Sequence, residues 1–156
     1  MAEIISGVVR DWKLEVAAYT TGAPPTTWVP VLGITEFTPP AIEKNLEDDS
    51  SFDSDGWGSE IATGLAWTVE GSVKRARASL TEDPGQAILR AAGEKLLEGG
   101  LVHIRISNRT TPTTGRTGIA DATFTDNGGP HTDLTTAEFS LAGRGALTTG
   151  TIVVAP

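Results

Sequence analysis

The 156-residue chain contains no cysteine, which removes disulfides, thiolate metal sites and cysteine nucleophiles from consideration. Stability must then come from packing or association. Histidine is almost as scarce. His103 falls on the outward face of an alternating segment and His131 in a Gly-Pro turn, so each reads as a solvated or hydrogen-bonded side chain. They form no pair at metal-ligand spacing, and no nucleophile-elbow pattern accompanies them. Basic residues are outnumbered: 12 Lys plus Arg against 20 Asp plus Glu leave a formal charge of −8. A protein that grips nucleic acid gains affinity by neutralising phosphates, so this balance argues against that class. It does not argue against a surface past which nucleic acid slides. Long apolar runs are missing too. None approaches the roughly 20 residues that span a bilayer, and MAEIISGVVRDWKLEV lacks the organisation of a signal peptide. The expectation is one soluble, acidic domain over 1–156, synthesised in the cytoplasm, with no membrane insertion.

What the chain does contain is alternation, punctuated by glycine, proline and threonine. In WKLEVAAY, Trp12, Leu14, Val16 and Ala18 share one face and Lys13, Glu15 and Ala17 the other, which predicts a strand with one buried face. Residues 28–37 read as a second extended segment that Pro30 keeps from a central position, and AIEKNLE as a short strand after Pro39-Pro40. The clearest alternation sets Leu65, Trp67, Val69, Gly71 and Val73 against Ala66, Thr68, Glu70, Ser72 and Lys74. Residues 84–98 predict the one helix, with Asp83 as N-cap, Pro84 in the first turn and Gly99-Gly100 closing it. Its apolar stripe runs through Ile88, Ala91, Ala92, Lys95 and Leu96. Strands follow at 101–109, 119–125 and 135–145, with a loop at 110–118 and a final short strand in ALTTGTIVVAP. The fold class is therefore mainly β: a β-sandwich or partly open barrel with one flanking α-helix. Such a sheet has edges that must be covered or paired.

The stretch EDDSSFDSDGWGSE, residues 47–60, places six carboxylates in fourteen positions with no basic residue between them. Set on a calcium-loop template with Gly56 at the sixth position, Ser51, Asp53 and Asp55 occupy ligand positions. The twelfth, which should be a bidentate Glu, is Ala62. Asp53 and Asp55 also lack the pocket that would push paired carboxylates apart in pKa for acid–base work. No enzyme, metal or cofactor is indicated. Trp57, an aromatic between glycines in a polar loop, instead fits an interface anchor. The basic run Lys74, Arg75, Arg77 ends a strand. It reads as a solvated rim or, opposite the acidic loop, as a set of contacts between copies of the chain.

The order of these segments resembles the major tail (tail tube) proteins of long-tailed, non-contractile bacteriophages. The resemblance is carried by WVPVLGITEF (28–37), SSFDSDGW (50–57), TGLAWTVEG (63–71), the helix after DPG (83–85) and FSLAGRGAL (139–147). It implies a structural virion protein, assembled from copies of itself as stacked hexameric rings around a channel through which phage DNA passes without specific binding. It also implies tape-measure, tail terminator and distal tail proteins as partners, terminal arms that help stacking, and a long inter-strand loop at about 48–64 that reaches the neighbouring ring. On that loop Asp48, Asp49, Phe52, Asp53, Asp55 and Trp57 become the stacking residues. Thr68, Glu70, Ser72, Glu138 and Ser140 become candidates for the lumen, which Lys74 and Arg144 would make less uniformly negative. Two alternatives share much of this pattern: the inner tube of a contractile tail or secretion apparatus, and an extracellular calcium- or carbohydrate-binding β-sandwich.

Overall fold

The computed structural model describes residues 3–152. The strands are β1 (Trp12–Ala18), β2 (Val29–Pro30), β3 (Ile34–Asp48), β4 (Glu60–Lys74), β5 (Leu101–Asn108), β6 (Thr111–Asp126) and β7 (Thr136–Thr151). Among the described residues there is one α-helix, α1 (Pro84–Gly93), between β4 and β5. The protein is mainly β with one flanking helix, as expected. Its strands form one open antiparallel sheet of seven among the described residues, in the order β2-β1-β5-β6-β7-β4-β3. The outermost ends of the expected terminal arms and the end of the expected last strand, residues 1–2 and 153–156, lie outside the described residues.

Several strands are longer than their local sequence predicts. Residues 110–118, expected as a loop, are mostly part of β6, and 136–151 is one strand rather than two. Threonine explains this, because its β-branched side chain favours extended backbone where no apolar alternation marks it. β3 likewise runs straight through Pro39-Pro40. The prolines fall in a register shift between Thr38 and Ala41, on a strand with a neighbour on one side only, where a missing N–H costs little.

The core lies on one face, where Leu14 and Val16, Val102, Ile104 and Ile106, Ala120 and Ala122, Phe139 and Leu141, and Val69 and Val73 meet. α1 covers the β1–β5–β6 part of that face. The Asp83 side chain accepts a hydrogen bond from the Gln86 N–H, as an N-cap should. The helix stops at Gly93, five residues short of the expected end, and the chain turns through a short 3-10 segment at Leu97–Gly100. Its buried stripe is Gly85, Gln86, Leu89 and Ala92. The expected stripe is rotated from this one because Lys95 and Leu96 keep helical spacing but lie past the end of the helix. The opposite face of β1 is also less solvated than alternation suggests. Glu15 is buried in a bidentate pair with its cross-strand partner Arg105 (2.8 and 3.2 Å), and Trp28 lies 4.8 Å from that guanidinium. Trp28 is thereby used within the fold.

The sheet forks. β4 pairs with β7 only from Thr68–Ala142 to Lys74–Thr136. Past that point β4 pairs with β3 alone, out to Asp48–Glu60, while β7 pairs with β6 alone, out to Thr114–Thr151. Trp67, the first residue of β4 beyond the last shared pair, fills the crotch. Its indole Nε1 donates to the Gly145 carbonyl at 2.9 Å, and its ring lies on Gly118 and Gly143, where any Cβ would overlap it. Gly143→Ala should therefore destabilise the fold by about 1–3 kcal/mol, the usual cost of overpacking a rigid site. Gly150→Ala, in the same strand but with open space around it, should be within about 0.5 kcal/mol of wild type in urea unfolding. Equal effects of the two would contradict this account of the crotch.

Candidate functional site

With the core on one face, the alternate residues of β3, β4, β6 and β7 form a polar strip on the other. Glu70 stands opposite Ser140 and Thr38, Ser72 opposite Glu138 and Glu36, and Thr123 and Thr125 continue the rows on β6. Together they line a shallow depression in which three carboxylates meet only hydroxyl-bearing and core residues. Thr68 extends the strip opposite Ala142, and by register Lys74 and Arg144 bound it at either end. The lumen candidates Thr68, Glu70, Ser72, Glu138 and Ser140 are thus brought together on one surface. Glu36, Thr38, Thr123 and Thr125 belong to it as well. The alternation of Thr123 and Thr125 with Ala122 and Phe124 carried that signal, whereas the register shift beside Glu36 hid it on β3. A strip of this kind repels anions through its summed field. Among the described residues no three His, Asp or Glu side chains are placed to hold a metal ion.

The acidic stretch caps a hairpin. β3 and β4 carry it outward, and the connection, 49–59, is shorter than the expected loop because Ile61–Gly64 are already strand. The tip is hydrogen-bonded to itself. Ser51 and Ser54 form a reciprocal capping box around the 3-10 turn Phe52–Ser54. Asp48 Oδ1 accepts from the Ser50 N–H at 2.8 Å, and Ser50 Oγ accepts from the Ser59 N–H, also at 2.8 Å. Hydrogen bonding from Ser50, side chain before backbone, holds the Asp48 carboxyl below its ordinary pKa. Asp55 takes a left-handed conformation (φ 53°) and Gly56 follows it (φ 81°), a reversal that aspartate tolerates and glycine permits. This leaves Phe52 and Trp57 fully outside, with Asp48, Asp49, Asp53 and Asp55 around them, all exposed. Ile42, Leu46, Ile61 and Leu65 add exposed apolar surface along the ribbon. Leu65, expected with the core, lies beyond the crotch and so has no core to enter.

The three basic candidates separate. Arg75 is engaged within its own chain. It pairs with Glu82 (2.8 Å) and Asp126 (3.0 Å), donates to Gln86 Oε1 (3.0 Å) and lies 5.1 Å from the Phe124 ring. Gln86 in turn donates to the carbonyls of Leu32 and Lys74, tying α1 to the end of β4. A glutamine in a helix gives no sequence signal for such burial. Lys74 and Arg77 are exposed and make no ion pair among the described residues. The Glu82 carboxyl is held below its ordinary pKa, first by a hydrogen bond from Arg90 and then by Arg75. His131 is exposed in its turn. His103 stacks on Tyr19 (5.4 Å between ring centres), with Nε2 enclosed and unpartnered.

No known family model matches the sequence, and no curated protein matches it. Solved structures do. A chain from the tail of an empty gene transfer agent particle, refined helically with C6 symmetry, superimposes with a TM-score of 0.69 at 14% identity, over 93% of this chain and 99% of that one. A chain from the six-fold symmetrised baseplate of the anti-feeding prophage gives 0.64 at 8% identity, over 94% and 97%. A chain from the sheath-tube complex of an extracellular contractile injection system in its extended state gives 0.53 at 9%, over 93% and 91%. The fold is one shared with components of tail and injection assemblies.

Burial lowers the pKa of His103. Between its folded and unfolded values the unfolded chain binds more protons, so this contribution to stability is complete above the unfolded value and falls as pH drops below it. Urea midpoints should fall between about pH 7 and about pH 5, the range in which an ordinary histidine titrates, and His103→Phe should flatten that fall. An identical fall in the variant would exclude His103 as its source.

Proposed function

We propose that the chain is the structural subunit of a phage-type tail tube, polymerising as stacked rings of six that enclose a channel for DNA. The observation that carries this reading is the fold shared over 93% of the chain with a chain of a C6 tail, combined with a forked sheet whose edges have no partner among the described residues. Pairing between copies around a ring removes such edges by closure. The acidic strip of Glu36, Glu70, Ser72, Glu138 and Ser140, extended by Thr68, then lines the channel, where repulsion of phosphates lets DNA pass without sticking. The hairpin tip contacts the adjacent ring. The protein acts in the virion without catalysis or cofactor, and its partners are further copies of itself and the tape-measure, terminator and distal tail proteins that begin and end the tube. A non-contractile tail is the leading assignment. The likeness to a chain of a sheath-tube complex supports a second, the inner tube of a contractile apparatus, and co-purification of a sheath protein would decide for it.

Electron microscopy of concentrated protein should show tubes of uniform width with a central hole; a chain that stays monomeric at every concentration contradicts the proposal. Replacing residues 49–59 with a two-residue turn should leave circular dichroism and the thermal midpoint near wild type, because the tip packs only on itself. The same variant should form no long tubes, and normal tube growth would remove the tip from ring contact.

A further inference from the structure

We infer that the acidic hairpin tip of one copy seats in a particular groove of the next: the cleft between the segment after β4 and the β6–β7 loop. This deepens the tube reading, on which it rests, by naming the receiving surface. The groove is lined by Lys74, Ala76, Arg77 and Ala78 at and after the end of β4 and by Asp133 and Leu134 from the β6–β7 loop. Leu134 is 89% exposed and supplies the groove with apolar surface. Of the charges lining the groove, Arg75 and Asp126 neutralise each other, leaving Lys74 and Arg77 against Asp133. The groove is therefore net positive on a chain of charge −8, while residues 47–60 carry six carboxylates and no cation. Apolar surface from Ala76, Ala78 and Leu134 beside the cations Lys74 and Arg77 suits an acidic tip that presents Trp57 and Phe52, both exposed. The apolar groove beside α1 offers no such match, because its Lys95 is offset by Glu98.

Geometry requires that the two belong to different copies. The tip precedes Glu60 and the groove follows Lys74, at opposite ends of the 15-residue strand β4. At about 3.3 Å per residue that is about 50 Å, so a tip cannot reach its own groove. A contact between unlike patches at opposite ends of one subunit is heterologous, and where its rotation does not close it repeats as a growing stack.

The absence of native cysteine gives a clean test. Gly58→Cys places a thiol beside Trp57 with open space around it, and Ala78→Cys places one on the groove wall. With a short bis-maleimide, the double variant should give a ladder of covalent multimers well beyond dimer, while each single variant stops at dimer. A double variant that forms tubes by microscopy yet gives no ladder overturns the groove assignment and leaves the tube reading intact. No ladder and no tubes from the double variant, with wild type also monomeric, overturns both. In a second arm, Lys74→Glu with Arg77→Glu should reduce the assembled fraction at least tenfold, and Asp53→Lys with Asp55→Lys in the same chain should restore it. Assembly unaffected by the first pair of changes, with melting unchanged, also overturns the assignment.

Discussion

A backbone N–H or C=O that leaves a ladder must find another partner, and in this protein two ladders run apart from a single crotch. β4 and β7 share seven register pairs, from Thr68–Ala142 to Lys74–Thr136, and then separate. Each continues with a partner on one side only. Trp67 holds the divergence open because its indole occupies the space above Gly118 and Gly143 and is bonded to Gly145. The projecting β3–β4 hairpin, its exposed apolar ribbon and the free edges of β4 and β7 all lie beyond that packed side chain. A monomer built this way keeps long unpaired edges, which soluble proteins ordinarily cover, shorten or charge.

Charge is arranged around the same frame. The cations that steady the fold, Arg75, Arg90 and Arg105, are each matched by carboxylates of their own chain. Unmatched negative charge is gathered most densely on two surfaces, the strip of β3, β4 and β7 and the hairpin tip. One is flat, rich in hydroxyls and suited to being passed over. The other carries exposed aromatics and is suited to being held. Their difference lies in apolar content rather than in sign.

Much of this was legible in the sequence, and the exceptions have physical causes. Alternation placed Trp67, Val69 and Val73 on the buried side, and Glu70 and Glu138 opposite, because period two is a strong signal wherever one face is dry. The helix start was legible in Asp83-Pro84. Its end was not, because Lys95 and Leu96 keep helical spacing while the chain has already turned towards β5. The threonine-rich halves of β6 and β7 lack apolar alternation, since neither face of them meets a full core. The order of the seven strands, and the fork within the sheet, depend on which strands pair over which residues. Local patterns do not encode that. The buried Glu15–Arg105 pair and Gln86 were also invisible, because burial of a polar side chain depends on the partner that the fold delivers.

The central claim is that the edges left free by the fork are paired by other copies of the chain. Hydrogen–deuterium exchange of the dispersed and the assembled protein tests it directly. The account predicts that amides in 60–67 and 143–151, on the sides of β4 and β7 that face no strand in the monomer, become strongly protected on assembly, while core amides of β5 stay unchanged. Assemblies in which those edge amides exchange as fast as in the monomer would contradict it.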